Sequence, residues 1–374
     1  MKVVIDDKIP FLRNVFEPYA TVVYKPGKDI SQSDLTDAQI LIVRTRTKCN
    51  KNLLEGTSVQ MVSTATIGTD HMDIPWLERS GITWSNAPGC NSGSVRQYIG
   101  SILAHLILSG TNPLKTTIGI VGVGMVGSKV EQLARTLGFN VMLNDPPRAR
   151  REGDALFTDY HTLVANADII TYHTPLNTSG SDVSYHLLNE DILPLLKPGV
   201  VIINSSRGEV TDTNAMLAGL ASEKIGKLVL DVWENEPDIS SLLHEKVWAG
   251  TPHIAGYSVD GKANGSSMTV DAVSHKFGFP LVGWKPESLP MPENPIITLS
   301  DDGKTSAHTA AEAILHTYNI LDDHQRLRQS PSDFEKLRGS YPVRREFGSW
   351  SVEGKMLRSE TVEMLSKLGF KVNA

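Results

Sequence analysis

Three polar segments of this 374-residue chain carry side chains capable of acid–base chemistry, and two of them directly follow apolar runs. Arg207 follows residues 200–203, Glu236 follows residues 228–232, and His253 comes seventeen residues after Glu236. An arginine binds a carboxylate or polarises an oxygen through charge-assisted hydrogen bonds. An imidazole oriented by a carboxylate removes a hydroxyl proton. We therefore predict Arg207, Glu236 and His253 as a catalytic set suited to oxidation of an α-hydroxy acid.

A glycine-rich loop predicts where the hydride acceptor binds. Residues 118–121 lead into Gly122, Gly124 and Gly127, and a helix-length stretch then leads to Asp145. In such a loop the glycines permit a tight turn, close approach of the backbone to a pyrophosphate, and packing of the helix on the strand. Asp145 would bind the ribose hydroxyls and repel a 2′-phosphate, so NAD is preferred to NADP.

A group of cations keeps NADP open as an alternative. Arg148, Arg150 and Arg151 follow Asp145 closely and lie within reach of an extra phosphate. The competing interpretation is a solvated basic loop.

Apolar runs that alternate with helix-length stretches must position these residues. Runs without polar alternation suit parallel strands covered on both faces, so we predict an α/β fold with two doubly wound parallel sheets. The first series comprises residues 3–5, 21–24, 40–43, 61–64 and 82–84, and the second comprises 118–121, 141–143, 168–172, 200–203 and 228–232. Ligands bind beyond the carboxyl ends of such strands, which is where the polar segments lie.

Helical periodicity and chain breakers predict the remaining organisation. Residues 94–108 and 305–327 are helix-like, whereas Gly256, Gly261 and Gly265 indicate a turn-like polar stretch. Five prolines between residues 280 and 295 mark a boundary. The predicted domains are a substrate domain of 1–94 completed by 256–285, a Rossmann domain of 95–255, and a small α+β domain of 286–374.

Composition excludes several classes of protein. The formal net charge of −6 argues against a nucleic-acid or anionic-membrane partner, and no apolar segment approaches the roughly 18 residues of a membrane span. Cys49 and Cys90 are the only cysteines, so we predict a cytoplasmic protein without a disulfide framework. His71 and His173 lack carboxylate–histidine spacing, and no metal site is predicted.

The motifs NSSRGEVTD, LDVWENEP and TPHIAG resemble the signatures of the D-2-hydroxyacid dehydrogenases, and GVGMVG with Asp145 is similar to their NAD fingerprint. One branch of that family is resembled more closely, through the segments VIDDKIPF, STATIGTDHMD, NAPGCN and YPVRREF. That resemblance implies NAD-dependent oxidation of 4-phospho-D-erythronate to (R)-3-hydroxy-2-oxo-4-phosphooxybutanoate in pyridoxal 5′-phosphate biosynthesis. It also implies a flavodoxin-like substrate domain and a homodimer built through the C-terminal domain.

The resemblance implies further contacts with cofactor and substrate. The predicted NAD contacts, besides the glycines and Asp145, are Met125, Val126, Thr174, Ser205, Ser206, Asp231 and Gly256. The implied substrate contacts are Thr45, Thr66 and Tyr257. A phosphorylated acid needs additional cations, so we predict that Arg44, with Thr45 and with Arg345 of the same or a partner subunit, binds the phosphate.

Two alternatives remain open at this level. The first is another D-2-hydroxyacid dehydrogenase, acting on 3-phosphoglycerate or a similar acid. The second is a non-catalytic NAD(H)-sensing binding protein that retains the same three residues.

Overall fold

The computed structural model describes residues 1–354 and 357–373, and the chain folds into two compact units. The first unit consists of Met1–Asn91 and Ser258–Pro290, and the second of Ser92–Tyr257 and Met291–Ala374. Residues of the predicted C-terminal domain therefore group with the dinucleotide region. The division into three domains stays a prediction.

The first unit is built on a five-stranded parallel sheet. Its strands are β1 (Lys2–Asp6), β2 (Thr21–Lys25), β3 (Ile40–Val43), β4 (Met61–Thr64) and β5 (Thr83–Ser85), and its first helices are α1 (Gln32–Leu35), α2 (Lys51–Leu54) and α3 (Ile74–Arg79). The strand order β2-β1-β3-β4-β5 is that of flavodoxin-like sheets. Strands β3 and β4 are buried along their whole length, as expected for a sheet covered on both faces.

The second unit contains a six-stranded parallel sheet. Its elements are α4 (Ser92–Leu108), β6 (Thr117–Val121), α5 (Met125–Thr136), β7 (Asn140–Asn144), α6 (Pro146–Glu152), α7 (Tyr160–Asn166), β8 (Ile169–Tyr172), β9 (Val200–Asn204), α8 (Thr213–Ala221), β10 (Ile225–Leu230), α9 (Ser241–Lys246) and β11 (Ala249–Gly250). The order β7-β6-β8-β9-β10-β11 changes direction between β6 and β8. Such a switch point is where open α/β sheets bind their ligands. The predicted α/β class is confirmed.

The predicted turn-like stretch after Gly256 is wrong, because a long helix, α10 (Val259–Phe277), occupies it. Gly261 and Gly265 lie inside this helix rather than in turns. A Cβ at Gly265 would lie 2.6 Å from the carbonyl oxygen of Ala65, so this glycine permits close packing of α10 on the chain after β4. Ser258 begins the helix, and its hydroxyl accepts from the amide of Gly261 at 2.8 Å.

The C-terminal residues form a three-stranded parallel sheet with four helices. These elements are β12 (Ile296–Leu299), α11 (Ser306–Thr317), α12 (Ile320–Gln329), α13 (Phe334–Gly339), β13 (Ser351–Gly354), α14 (Ser359–Leu368) and β14 (Lys371–Asn373). The single helix predicted over 305–327 is interrupted, because Tyr318 is extended and Asn319 caps α12 through a bond from the amide of Leu321. Of the helices the structure describes, none is long and apolar enough to cross a membrane.

Helix α4 is buried on nearly every side because α11 packs against it. Its polar side chains bond to the C-terminal residues: the amide of Gln97 donates to Thr317 Oγ1 at 3.0 Å and to the carbonyl of Arg345 at 2.8 Å. The hydroxyl of Ser101 accepts from the amide of Ile320 at 3.0 Å. The C-terminal region is thus anchored to the helix that begins the dinucleotide unit.

Candidate active site

His253 and Glu236 form a hydrogen-bonded pair on the loops that follow β11 and β10. Nδ1 of His253 lies 2.7 Å from Oε2 of Glu236. Because a carboxylate only accepts, Nδ1 carries the proton and Nε2 keeps its lone pair. The His253 side chain is 33% exposed within the described chain, which leaves the ring accessible to a substrate. This arrangement suits a general base.

Glu236 is itself held in place by the protein. Its Oε1 accepts from the backbone amide of Trp233 at 2.9 Å. The indole of Trp233 is buried and donates from Nε1 to the carbonyl of Thr251 at 3.0 Å. The loop that carries Glu236 is therefore tied to the segment that carries His253.

Asp231 fixes the backbone around His253. It is 1% exposed, and its carboxylate accepts from Thr251 Oγ1 at 2.7 Å and from the amides of Ile254 and Ala255 at 2.7 and 2.9 Å. Burial raises the pKa of Asp231, while His253 and these hydrogen bonds oppose that rise. Both carboxylate oxygens bond within the protein, so Asp231 organises the loop. Its predicted contact with NAD stays a prediction.

His253 has a left-handed backbone conformation, with a φ of 56°. Residues other than glycine rarely adopt this region, and such strain persists only where surrounding contacts enforce it. Here the amide of His253 donates to the carbonyl of Asp231 at 2.7 Å. The catalytic ring therefore projects from a locally constrained loop.

The loop that carries Arg207 is shaped by Asn204, the last residue of β9. The Asn204 side-chain amide donates to the carbonyl of Arg207 at 2.8 Å, and its oxygen accepts from the amide and hydroxyl of Ser206. A Cβ at Gly208 would overlap the backbone of Trp233. The Arg207 loop therefore lies against the loop that carries Glu236. The sequence did not indicate that Asn204 holds the Arg207 loop or that Trp233 holds the Glu236 loop.

The glycine loop has the geometry that its pattern predicts. Gly122 has a φ of 84°, and a Cβ there would lie 2.8 Å from the carbonyl carbon of His173. A Cβ at Gly127 would overlap the carbonyl oxygen of Gly122, so α5 packs closely on the loop. By contrast, a Cβ built on Gly124 has no described atom within 4 Å apart from those of Gly124 and its two chain neighbours. That open space at the start of α5 fits the approach of a pyrophosphate.

Asp145 lies beside the glycine loop at the end of β7. Its Oδ2 accepts from the amide of Val123 at 2.8 Å, and its Oδ1 caps α6 by accepting from the amide of Arg148 at 2.9 Å. Each carboxylate oxygen retains a second lone pair for a ribose hydroxyl.

Two of the three cations that kept NADP open bond closely to the protein, whereas Arg151 is mostly exposed and lies 3.6 Å from Glu152. Arg148 bonds to both carboxylate oxygens of Glu152 and to the carbonyl of Val123. Arg150 forms a two-point ion pair with Asp182. A 2′-phosphate would have to displace these partners, so the structure favours NAD.

Several of the remaining predicted NAD contacts lie at the switch point or follow a strand near it, whereas Gly256 comes after β11 at the edge of the sheet. Met125 and Val126 begin α5, and Thr174 follows β8 with a buried hydroxyl that has no hydrogen-bond partner in the described chain. The Ser205 hydroxyl lies 3.5 Å from Nδ1 of His173, whose pKa burial lowers to about 3. The open loop, the unpaired Thr174 hydroxyl and the adjacent carboxylate together fit a dinucleotide. The roles of the individual residues stay predictions.

The predicted substrate contacts lie in both units. Arg44 and Thr45 directly follow β3, and Thr66 follows its neighbour β4, so these three lie at the carboxyl edge of the first sheet. In the second unit, Tyr257 has its ring 6.0 Å from that of Tyr341. Arg345 is 8% exposed and its guanidinium lies beside Met291, so its own chain covers most of its surface. Its contact with a phosphate stays a prediction.

The dinucleotide region matches a known family. The family model described as the NAD-binding domain of D-isomer-specific 2-hydroxyacid dehydrogenases matches residues 100–255. A second model, described as a domain of unknown function, matches residues 289–369. A solved D-lactate dehydrogenase from Aquifex aeolicus, complexed with NAD and lactic acid, superposes with a TM-score of 0.61 at 22% identity, over 74% of this chain and 96% of that one. The fold and the matched NAD-binding model identify the class as a D-2-hydroxyacid dehydrogenase that uses NAD.

Relatives of nearly the same length specify the family further. The chain is 45% identical to an erythronate-4-phosphate dehydrogenase of Bacteroides thetaiotaomicron, over 95% of this chain and 99% of the relative. It is 41% identical to the protein of that name in Proteus mirabilis, over 99% of both chains. The chain belongs to the erythronate-4-phosphate dehydrogenase family.

Proposed function

We propose that this protein oxidises 4-phospho-D-erythronate to (R)-3-hydroxy-2-oxo-4-phosphooxybutanoate with NAD, as a step of pyridoxal 5′-phosphate biosynthesis. The observation that carries the proposal is the pairing of His253 with Glu236 at 2.7 Å, in a sheet whose switch point fits a dinucleotide. The substrate is taken from the names of relatives that match over almost the whole chain.

The proposed catalytic roles are supported by the His253–Glu236 pair and by the chemistry of the side chains. Nε2 of His253 removes the proton of the C2 hydroxyl and an imidazolium forms. Through its bond to Nδ1, Glu236 stabilises that imidazolium. The glycine loop and Asp145 would hold NAD, which would supply the acceptor for the hydride from C2. Arg207 binds the substrate carboxylate or the C2 oxygen with charge-assisted hydrogen bonds. Asp231 and Asn204 keep the two loops in shape.

A direct assay tests this function. Wild-type protein is expected to form NADH with 4-phosphoerythronate at a higher kcat/KM than with 3-phosphoglycerate. His253→Ala should lose most of kcat while the affinity for NAD stays nearly unchanged. Preference for 3-phosphoglycerate would support a different dehydrogenase, and NAD binding without turnover of any hydroxy acid would support a sensor.

We assign the substrate phosphate to Arg44, with Thr45 and Thr66 as neighbouring contacts. Arg44 donates to the carbonyl of Lys8 at 3.1 Å, which holds its guanidinium near the end of β3. Arg44→Gln should raise KM for 4-phosphoerythronate much more than KM for erythronate. The exposed neighbour Arg46, changed to Gln, is the matched control. An equal effect of Arg44→Gln on both substrates would contradict the assignment.

The proposals for the quaternary structure and the cellular location rest on fewer observations. We infer a homodimer formed through the C-terminal residues, supported by the exposed apolar side chains of Met291, Ile296 and Val343. Light scattering should give twice the chain mass, and Ile296→Glu with Val343→Glu should lower it. A cytoplasmic location is supported by Cys49 and Cys90, neither of which forms a disulfide in the described chain, and cell fractionation tests it.

A further inference from the structure

A buried arginine of the C-terminal region contacts the backbone of the His253 loop. Arg344, in the segment YPVRREF, is 4% exposed, and its Nη2 donates to the carbonyl oxygen of Ala255 at 2.5 Å. Ala255 lies two residues after His253. The proposed reaction assigns no role to Arg344.

The surroundings of Arg344 are arranged to keep a positive charge inside the protein. Its guanidinium lies over the rings of Tyr318 and Tyr341, with centroids at 4.5 and 5.7 Å. The hydroxyls of both tyrosines donate to Oδ2 of Asp323, at 2.9 and 2.6 Å. A buried cation is costly unless it is partnered. The two rings and the nearby Asp323 carboxylate offset part of this cost, while Nε of Arg344 is buried without a hydrogen-bond partner in the described residues.

The segment after His253 is therefore held by two groups of opposite charge. Asp231 accepts from the amides of Ile254 and Ala255, and Arg344 donates to the carbonyl of Ala255. Each peptide unit is planar, so holding the amide and the carbonyl of Ala255 restricts rotation about the two backbone bonds at its Cα. His253 lies directly before this segment, and its own amide donates to the carbonyl of Asp231.

We infer that Arg344 is a positioning residue for His253, through which the C-terminal region holds the proton acceptor in its catalytic orientation. The inference rests on the proposed role of His253 as the base. It gives the YPVRREF segment a part in catalysis that does not require contact with substrate.

The test compares three variants in steady state. Loss of a hydrogen bond from a charged donor predicts that Arg344→Met lowers kcat about 10- to 100-fold, with KM for NAD nearly unchanged. Arg344→Lys should recover part of the loss because it keeps a charged donor. Arg326→Gln is the matched control: Arg326 bonds to the other oxygen of Asp323 at 2.8 Å but is 52% exposed, and its change should leave kcat nearly unchanged.

A second background separates positioning from general destabilisation. If Arg344 acts through His253, then Arg344→Met should cause no further loss of rate in a His253→Ala protein. An equal loss in both backgrounds, or a kcat for Arg344→Met close to that of wild type, would overturn the inference. Should Arg344→Met fail to fold, Arg344→Lys and its double variant with His253→Ala carry the same comparison.

The proposed function is tested separately by wild-type turnover. If the wild type oxidises a different 2-hydroxy acid, the variants are compared on that acid. The substrate assignment then fails while the inference about Arg344 is still decided.

Discussion

Replacement of Glu236 by glutamine should disable the base by changing the tautomer of His253. Glutamine offers one acceptor and one donor where glutamate offers two acceptors. The amide of Trp233 needs an acceptor, so the glutamine oxygen would face Trp233 and its NH₂ group would face Nδ1 of His253. Nδ1 must then accept, which moves the proton to Nε2, the atom that should receive the substrate proton.

The expected loss of kcat follows from the bonds that Glu236 makes to Trp233 and to His253. The opposite amide orientation would restore the tautomer but would set a donor against the buried amide of Trp233, at a cost of about 1–3 kcal/mol. In either orientation the imidazolium loses its charged partner, which is worth about another 1.5–3 kcal/mol. Together, about 2.5–6 kcal/mol, they predict that Glu236→Gln lowers kcat by roughly two to four orders of magnitude.

The assay is steady-state NADH formation with 4-phosphoerythronate, with NAD affinity measured separately. Glu234→Gln is the matched control, since Glu234 lies in the same loop but bonds to His186 and to the amide of Thr213. It should change kcat less than a few-fold. A Glu236→Gln protein with nearly wild-type kcat, or an equal loss from both variants, would refute the reasoning.

Three further predictions concern the cofactor side of the site. The folded-state pKa of His173, about 3, lies below the unfolded value of about 6.5, so only the unfolded state gains a proton as the pH falls and stability is lost. Between pH 7 and pH 5, His173→Gln should therefore lose about 2 kcal/mol less free energy of unfolding than wild type, measured by urea unfolding. An equal loss in variant and wild type would contradict the burial of His173. Asp145→Ser should lower the preference for NAD over NADP about 10- to 100-fold, measured as a ratio of kcat/KM values; an unchanged ratio would exclude Asp145 as a ribose contact. Gly124→Ala should raise KM for NAD while leaving the melting temperature nearly unchanged, because the new methyl group meets no protein atom; a large loss of thermal stability would contradict this.

The strands were the most predictable part of the fold. Uninterrupted apolar runs, such as residues 40–43 and 200–203, correspond to β3 and β9 because these strands are buried on both faces. The two-residue strand β11 carries too short a signal to predict. Gly265 misleads because the reason for it is a tertiary contact, the close packing of α10 on the carbonyl of Ala65.

The site was predictable where side chains of distinctive chemistry follow strands. His253 and Glu236 were predicted as a pair, and the structure places them in contact. The roles of Asn204 and Arg344 were not predictable, because both side chains bond to backbone carbonyls. Such partners leave no pattern in the sequence, and the partner of Arg344 lies 89 residues away along the chain.

The most direct test of the central claim is the transfer of deuterium from C2 of labelled 4-phosphoerythronate to NAD, followed by mass spectrometry of the cofactor. Hydride transfer with His253 as the proton acceptor predicts reduced cofactor that carries the deuterium in wild-type protein, and almost none with His253→Ala. Unlabelled reduced cofactor, or undiminished transfer by His253→Ala, would contradict the account.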